Sequence, residues 1–377
     1  MAVLRASFVS AMLLLVACAT EAPSQKADER DPAFAVFTPA PKNTSDLDYA
    51  IVDEFLTAYV VETGRSLRIR APSVDTPTGT RVRYGHTSPL RLEGNKILFS
   101  EFLPTTKHNV ADWVESLVEI GNTRDLTALP RNEQLAYWFN LHNLLVIREI
   151  ARTYPVRYPS RIEPLGDGAS LHDAKLVTIK GVPLSLRDIR TRIVYTNWSD
   201  PRVIYGFFHG DLGSPNIRRE AWKGATMSAD LTDNAKEFVN SLRGVQNTFG
   251  PTLVSRHYAE ARPYLFPDWP EDLRDHLLAY AEEEVAAIVR TTEEFGFAEY
   301  EDRVADLMGG MNGPVVEPLT DNLDGLGFGP PGQQFQKQSM YREYREKQIQ
   351  LIRKLRRRGA TVTIVDERTT DPGEEVQ

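Results

Sequence analysis

Residues 131–154, "RNEQLAYWFNLHNLLVIREIARTY", follow Pro130 and decide how the chain must be built. Their spacing predicts a helix with apolar residues on nearly every face, and such a helix belongs in the middle of a domain. Polar residues inside it need partners. Asn140, His142 and Asn143 are therefore its informative positions, and Glu133 in its first turn is a further candidate binding residue.

Outward from this helix, "SDLDYAIVDEFLTAYVVETG" (45–64) predicts a helix with a Ser or Asp cap and a stop at Gly64. "GTRVRYGHTSPLRLEGNKILFS" (79–100) predicts two short strands around a turn, and "NVADWVESLVEIG" (109–121) a helix with Trp113, Leu117 and Ile120 on one face. On the other side, "KLVTIKGVPLSLRDIRTRIVY" (175–195) reads as a hairpin turning at Lys180 and Gly181, then a helix from Ser185. "VIYGFFHGDLGSPNI" (203–217) reads as a strand ending at His209 and a turn rich in Gly, Asp and Ser. Helical patterns resume at 228–242 and 270–292. The alternation predicts an α+β domain over 46–300.

The ends differ in kind. "MAVLRASFVSAMLLLVAC" (1–18) has one positive charge, an apolar stretch and small residues before Cys18, the pattern of a secretory signal over 1–17. "LVAC" resembles the lipobox of bacterial lipoproteins. That resemblance implies a diacylglyceryl and palmitate anchor on Cys18, and Ala19 after it implies outer-membrane sorting. Residues 18–45 read as a tether, 301–336 as a linker, 337–366 as an amphipathic helix plus strand, and 367–377 as a disordered tail. The basic run Arg353 to Arg358 ends that helix and could touch anionic phospholipid head groups or another acidic surface, but reads first as a solvated face that complements the helix dipole.

Cys18 is the only cysteine. Once it is acylated, thiol catalysis and cysteine-ligated zinc are excluded by count. A net charge of −8 argues against nucleic acid as the main partner.

The blocks "RNEQLAYWFNLHNLL", "KLVTIKGVPLSLRDIRTRIV" and "DPRVIYGFFHGDLGSPNI" resemble, in order, three blocks of the family catalogued as domain of unknown function 547. The resemblance runs from about Asp46 to Phe297. It implies a papain/transglutaminase-like core, with a central buried helix packed on a small sheet, and here a C-terminal helix and strand beside it. Typical members carry two cysteines in the third block and a histidine in the second. This chain has His209 and Ser214 at the cysteine positions and Thr191 at the histidine position, while His142 stands where a tyrosine is usual.

Three chemistries remain open. Ser214 with His209 or His142 as base, oriented by Asp211 or Asp173, would make a hydrolase or acyltransferase. His142, His172 and His209, with Asp173 or Asp211, would suit a metal, although their spacing is not that of a ligand motif. Alternatively the turn is structural, and the domain binds a partner with Asn140, Asn143, His172 and Glu133 as candidate contacts. The last reading is preferred: a lipid-anchored binding or scaffold protein, facing the periplasm, on a degenerate cysteine-hydrolase-like fold. It requires no cofactor and no metal, and its partners are the outer membrane through the Cys18 lipid and an envelope protein or polymer.

Overall fold

The computed structural model describes residues 31–71, 81–83, 86, 88–247, 251–310, 315–317 and 363–365. A 3-10 turn, Pro32–Phe37, precedes strand β1 (Asp46–Asp48), helix α1 (Ala50–Tyr59) and strand β2 (Val60–Val61). Strands β3 (Arg81–Arg83) and β4 (Lys96–Ile97) come before the two long helices, α2 (Pro104–Thr123) and α3 (Arg131–Thr153). The hairpin β5 (Val177–Ile179) and β6 (Val182–Leu184) leads into α4 (Leu186–Asp188), a π-helical turn (Ile189–Val194) and α5 (Tyr195–Asn197). Helix α6 (Met227–Val239), strands β7 (Val245–Gln246) and β8 (Thr252–Val254), and helices α7 (Arg256–Leu265), α8 (Glu271–Tyr280) and α9 (Glu283–Arg290) follow. Strands β9 (Phe295–Phe297), β10 (Val315–Glu317) and β11 (Thr363–Val365) come last. The fold is α+β, with short strands only among the described residues.

Helix α3 is buried from Asn132 to Ala151 apart from Arg148, as its apolar coverage requires. It packs along α2, where Tyr137 Oη donates to the Leu117 carbonyl at 2.9 Å. Its polar side chains bond to the backbone of the segments around it. Asn140 accepts from Trp222 N at 2.9 Å and donates to Trp222 O at 2.8 Å. Asn143 donates to Gly206 O at 3.0 Å and accepts from Phe208 N at 2.9 Å. Glu133 accepts from Gly224 N at 3.0 Å, and Asn132 donates to Gly224 O at 3.3 Å. Each amide acts as a one-residue strand partner for chain that has no ladder of its own. Asn140, Asn143 and Glu133, three of the four candidate binding residues, are thus committed to holding backbone.

The hairpin forms as its turn chemistry predicts. Lys180 at φ 50° and Gly181 at φ 79° give two consecutive left-handed residues between β5 and β6. Ser185 opens the following helix through a capping box with Asp188.

Four expectations change. The apolar run 203–208 is not a strand: Pro201–Gly206 is a 3-10 turn capped by Asp200, and Phe207 is extended. A short apolar run buried on all sides carries no period to separate strand from turn. The expected strands of 79–100 exist, but β3 pairs with β10 and β4 with β2, so they are not a hairpin. The expected tether is packed from Pro32, since Phe34 and Phe37 are buried and the Phe37 ring lies 5.3 Å from Trp138. Likewise, Val304 to Met308 lie buried where a linker from 301 was expected.

At the other end, β11 pairs antiparallel with β1, Leu47 opposite Ile364. The predicted C-terminal helix, the basic run and Cys18 lie outside the described residues. Among the described residues no helix is long and apolar enough to cross a membrane.

Asn143→Ala leaves a buried carbonyl, a buried backbone N–H and the His142 Nδ1–H without that partner, and is expected to lower stability by about 2–4 kcal/mol. Urea denaturation measures this, and an unchanged midpoint would contradict the role assigned to the amide.

Candidate functional site

Arg190 sits in the π turn, only 1% exposed, where the extra residue of that turn separates α4 from α5. A buried guanidinium cannot shed its proton, so it must be paired. Glu260 on α7 supplies the pair in bidentate form, with Nε–Oε1 at 2.6 Å and Nη2–Oε2 at 3.0 Å. Arg190 holds the Glu260 carboxyl down at about 2 despite its burial.

Histidines surround this ion pair. Arg190 Nη1 donates to His142 Nε2 at 3.0 Å and to His172 Nδ1 at 3.3 Å. Arginine offers no acceptor, so both nitrogens are lone-pair acceptors and both imidazoles are neutral. His142 then donates Nδ1–H to Asn143 Oδ1 at 3.1 Å. His209 completes the group, with ring centroids 5.9 Å from His142, 5.0 Å from His172 and 4.2 Å from His257.

Burial, then the neighbouring cations and imidazoles, depresses all four. His172 falls to about 3 and His257 to about 4. His142 and His209 lie well below the ordinary value. A proton added to any of them would be a second positive charge beside Arg190, with one carboxylate to balance both.

The turn after His209 leads to Asp211, which bridges in β fashion to Val304. Tyr300 Oη donates to Asp211 Oδ1 at 2.8 Å and lies 3.1 Å from His257 Nε2. Burial raises the Asp211 carboxyl to about 8. Ser214 Oγ donates to the Asp211 carbonyl at 2.7 Å, an ordinary serine turn, and not to an imidazole. Asp173 pairs with Arg187 at 2.7 Å and accepts from Ser170 Oγ, so it orients no histidine. His86 lies elsewhere, 3.0 Å from the Val304 carbonyl through Nε2.

The structure therefore gathers His142, His172 and His209, and leaves Ser214 outside their hydrogen bonding. The serine reading loses its nucleophile–base contact. The metal reading meets a guanidinium at the nitrogens a cation would need, and among the described residues no group of three or more His, Cys, Asp or Glu is arranged to hold a metal ion.

Arg190, His257, Glu260 and Tyr300 were not singled out from sequence. Arg190 adjoins Thr191, the position read as the missing family histidine, and that neighbourhood was the available signal. Nothing local marks the other three.

The six histidines His86, His142, His172, His209, His257 and His276 all lie below their ordinary value when folded. The unfolded chain binds protons on them near pH 6.5 and the folded chain does not, so acidification favours unfolding. Asp211 at about 8, Asp306 at about 7 and Glu237, raised by its burial, act oppositely, but they are three against six. Stability is thus expected to peak near neutrality and fall as pH drops from about 6.5 towards 4. Urea midpoints at pH 7 and pH 5 measure the difference, and equal midpoints would contradict it.

Comparison with the curated proteins and with the solved structures gives no match. A family model described as "Protein of unknown function, DUF547" matches residues 126–239. That span holds α3, the β5–β6 hairpin, Arg190 and the His209–Ser214 turn, and stops before His257, Glu260 and Tyr300. Residues 126–239 of this chain, which carry its central helix and the turn that follows His209, are thus similar to the DUF547 family.

Proposed function

We propose that this protein binds or scaffolds without covalent catalysis, held to the periplasmic face of the outer membrane by a lipid on Cys18. One observation carries the non-catalytic part. His209 is packed among neutral imidazoles, while the Ser214 hydroxyl is spent on its own turn. Both positions resemble those of family cysteines, and if those cysteines form a thiol site in the family, this chain has at the same place no nucleophile joined to a base.

The Arg190–Glu260 pair supports the same reading. It holds the neighbouring imidazoles as acceptors at fixed distances, which suits a rigid core under a binding surface. The anchor rests on the signal and lipobox pattern of residues 1–18. The partner is a component of the envelope, protein or polymer, and the fold is of enzymatic ancestry in this reading.

A fluorophosphonate serine probe tests the first part: neither the native protein nor Ser214→Ala is expected to be labelled. Labelling of the native protein that disappears in the variant would establish a hydrolase instead. Cys18→Ser tests the anchor, with release from the membrane fraction as the expected result. Membrane retention of that variant would remove the lipid from the proposal.

A further inference from the structure

The chain is held to the fold from Asp31, far earlier than its composition predicts. Phe34 and Phe37 are buried, and Ala40 N and Lys42 N donate to Thr127 O at 2.9 Å and Ala128 O at 2.8 Å. Thirteen residues lead from Cys18 to Asp31, and they reach at most about 45 Å when fully extended. A domain of this size is roughly 50 Å across. A lipid on Cys18 therefore lets the side where the chain enters rest on the bilayer, while the side farthest from that point cannot reach it.

The entry side is basic. Arg192 pairs with Asp31 at 3.3 Å, and its guanidinium lies 4.9 Å from the centre of the Phe34 ring. It also pairs at 3.6 Å with Asp188, which binds Lys175 as well. Nearby, the Thr127 hydroxyl, Lys42 and Lys180 hold the Asp125 carboxyl below its ordinary value. Lys180 Nζ donates to the Asn122 carbonyl at 2.8 Å, and Arg124 is the C-cap of α2. Lys42, Arg124 and Lys180 are exposed, with no carboxylate at ion-pair distance among the described residues. Five cations thus stand here against three carboxylates, one of them the buried Asp188, in a chain of net charge −8.

The excess acid lies elsewhere. Residues 271–294, which hold α8 and α9, carry eight carboxylates and two arginines, and Arg65 and Arg68 pair with only Glu282 and Glu284 among the eight. Helices α8 and α9 pack on each other and on α6, whereas Pro32–Phe37 packs on Leu126–Ala128 and the π turn. A negatively charged plane attracts the first of these surfaces and repels the second.

We propose that the face formed by Lys42, Arg124, Lys175, Lys180 and Arg192 rests on anionic phospholipid head groups of the leaflet that holds the Cys18 lipid, with α8 and α9 turned away. Val36, 43% exposed on the Pro32–Phe37 turn, adds an apolar contact at that surface. The attraction fades within a Debye length of about 8 Å, so it acts on the entry side and not across the domain. With only some of the cations unpaired, it orients a tethered domain and does not hold a free one. The proposal rests on the anchor reading above and names the surface that the anchor brings to the membrane.

Lysine acetylation read by mass spectrometry tests it on the membrane-purified full chain, reconstituted in phosphatidylcholine vesicles with or without phosphatidylglycerol. On the anionic vesicles Lys42 and Lys180 are expected to react about threefold or more slowly than on the neutral ones, with about 0.5 M salt restoring their rates. Lys236, exposed on α6, should react equally on both. Lys42→Gln combined with Arg124→Gln, both at exposed positions, should keep the native melting temperature and abolish the protection of Lys180.

Equal rates on the two vesicle types, protection of Lys236 to the same extent, or protection of Lys180 that persists in the double variant would each overturn the assignment. Equal rates together with release of Cys18→Ser from membranes would remove this face alone, whereas membrane retention of Cys18→Ser would remove the anchor on which it rests.

Discussion

The structure depends on hydrogen bonds from a buried helix to backbone that has no regular partner of its own. Helix α3 is enclosed on all sides, and the chain wrapped around it between Gly206 and Gly224 is largely irregular. Buried irregular backbone is unstable unless each N–H and C=O is matched. Asn140, Asn143, Asn132 and Glu133 provide those matches at Trp222, Gly206, Phe208 and Gly224. Contact is close enough that a Cβ on Gly206 would come within 2.3 Å of the Phe139 ring. The helix thereby sets where the turn after His209 lies.

A second constraint follows from the first. Next to Asn143 on the helix, His142 accepts from Arg190, and Arg190 draws in Glu260 from a helix 70 residues later. One guanidinium and one carboxylate are thus the balanced charges at the centre of four imidazoles. In a low-dielectric interior this balance permits neutral histidines and opposes protonated ones. His209 is accordingly a packed acceptor-bearing ring, and the serine five residues on serves the turn.

Elements whose signals are local were legible before the structure. The all-round apolar pattern of α3, the one-sided pattern of α2, the Lys180–Gly181 turn and the Ser185 cap all appear as read. The apolar run at 203–208 was misread because Pro201 and Asp200 start a 3-10 turn and Asn143 supplies what a neighbouring strand would have. Phe34 and Phe37 were misread because two aromatics in a Pro and Ala rich stretch have no period, yet each found apolar surface to bury. At the site, proximity of His142 and His209 was anticipated, while Tyr300 meets Asp211 across 89 residues of sequence.

Two things were settled by the sequence alone: a single cysteine, at position 18, leaves no thiol at the turn after His209, and the 131–153 helix had to be buried. Counting residues and reading a helical period need no knowledge of distant neighbours. Only the tertiary structure decided that Asn140 and Asn143 hold backbone, that Arg190 and Glu260 sit between the histidines, and that Ser214 bonds to its own turn. The physical reason is that a polar group's role is set by its burial and by what lies within about 3 Å of it, and both are created when remote segments meet.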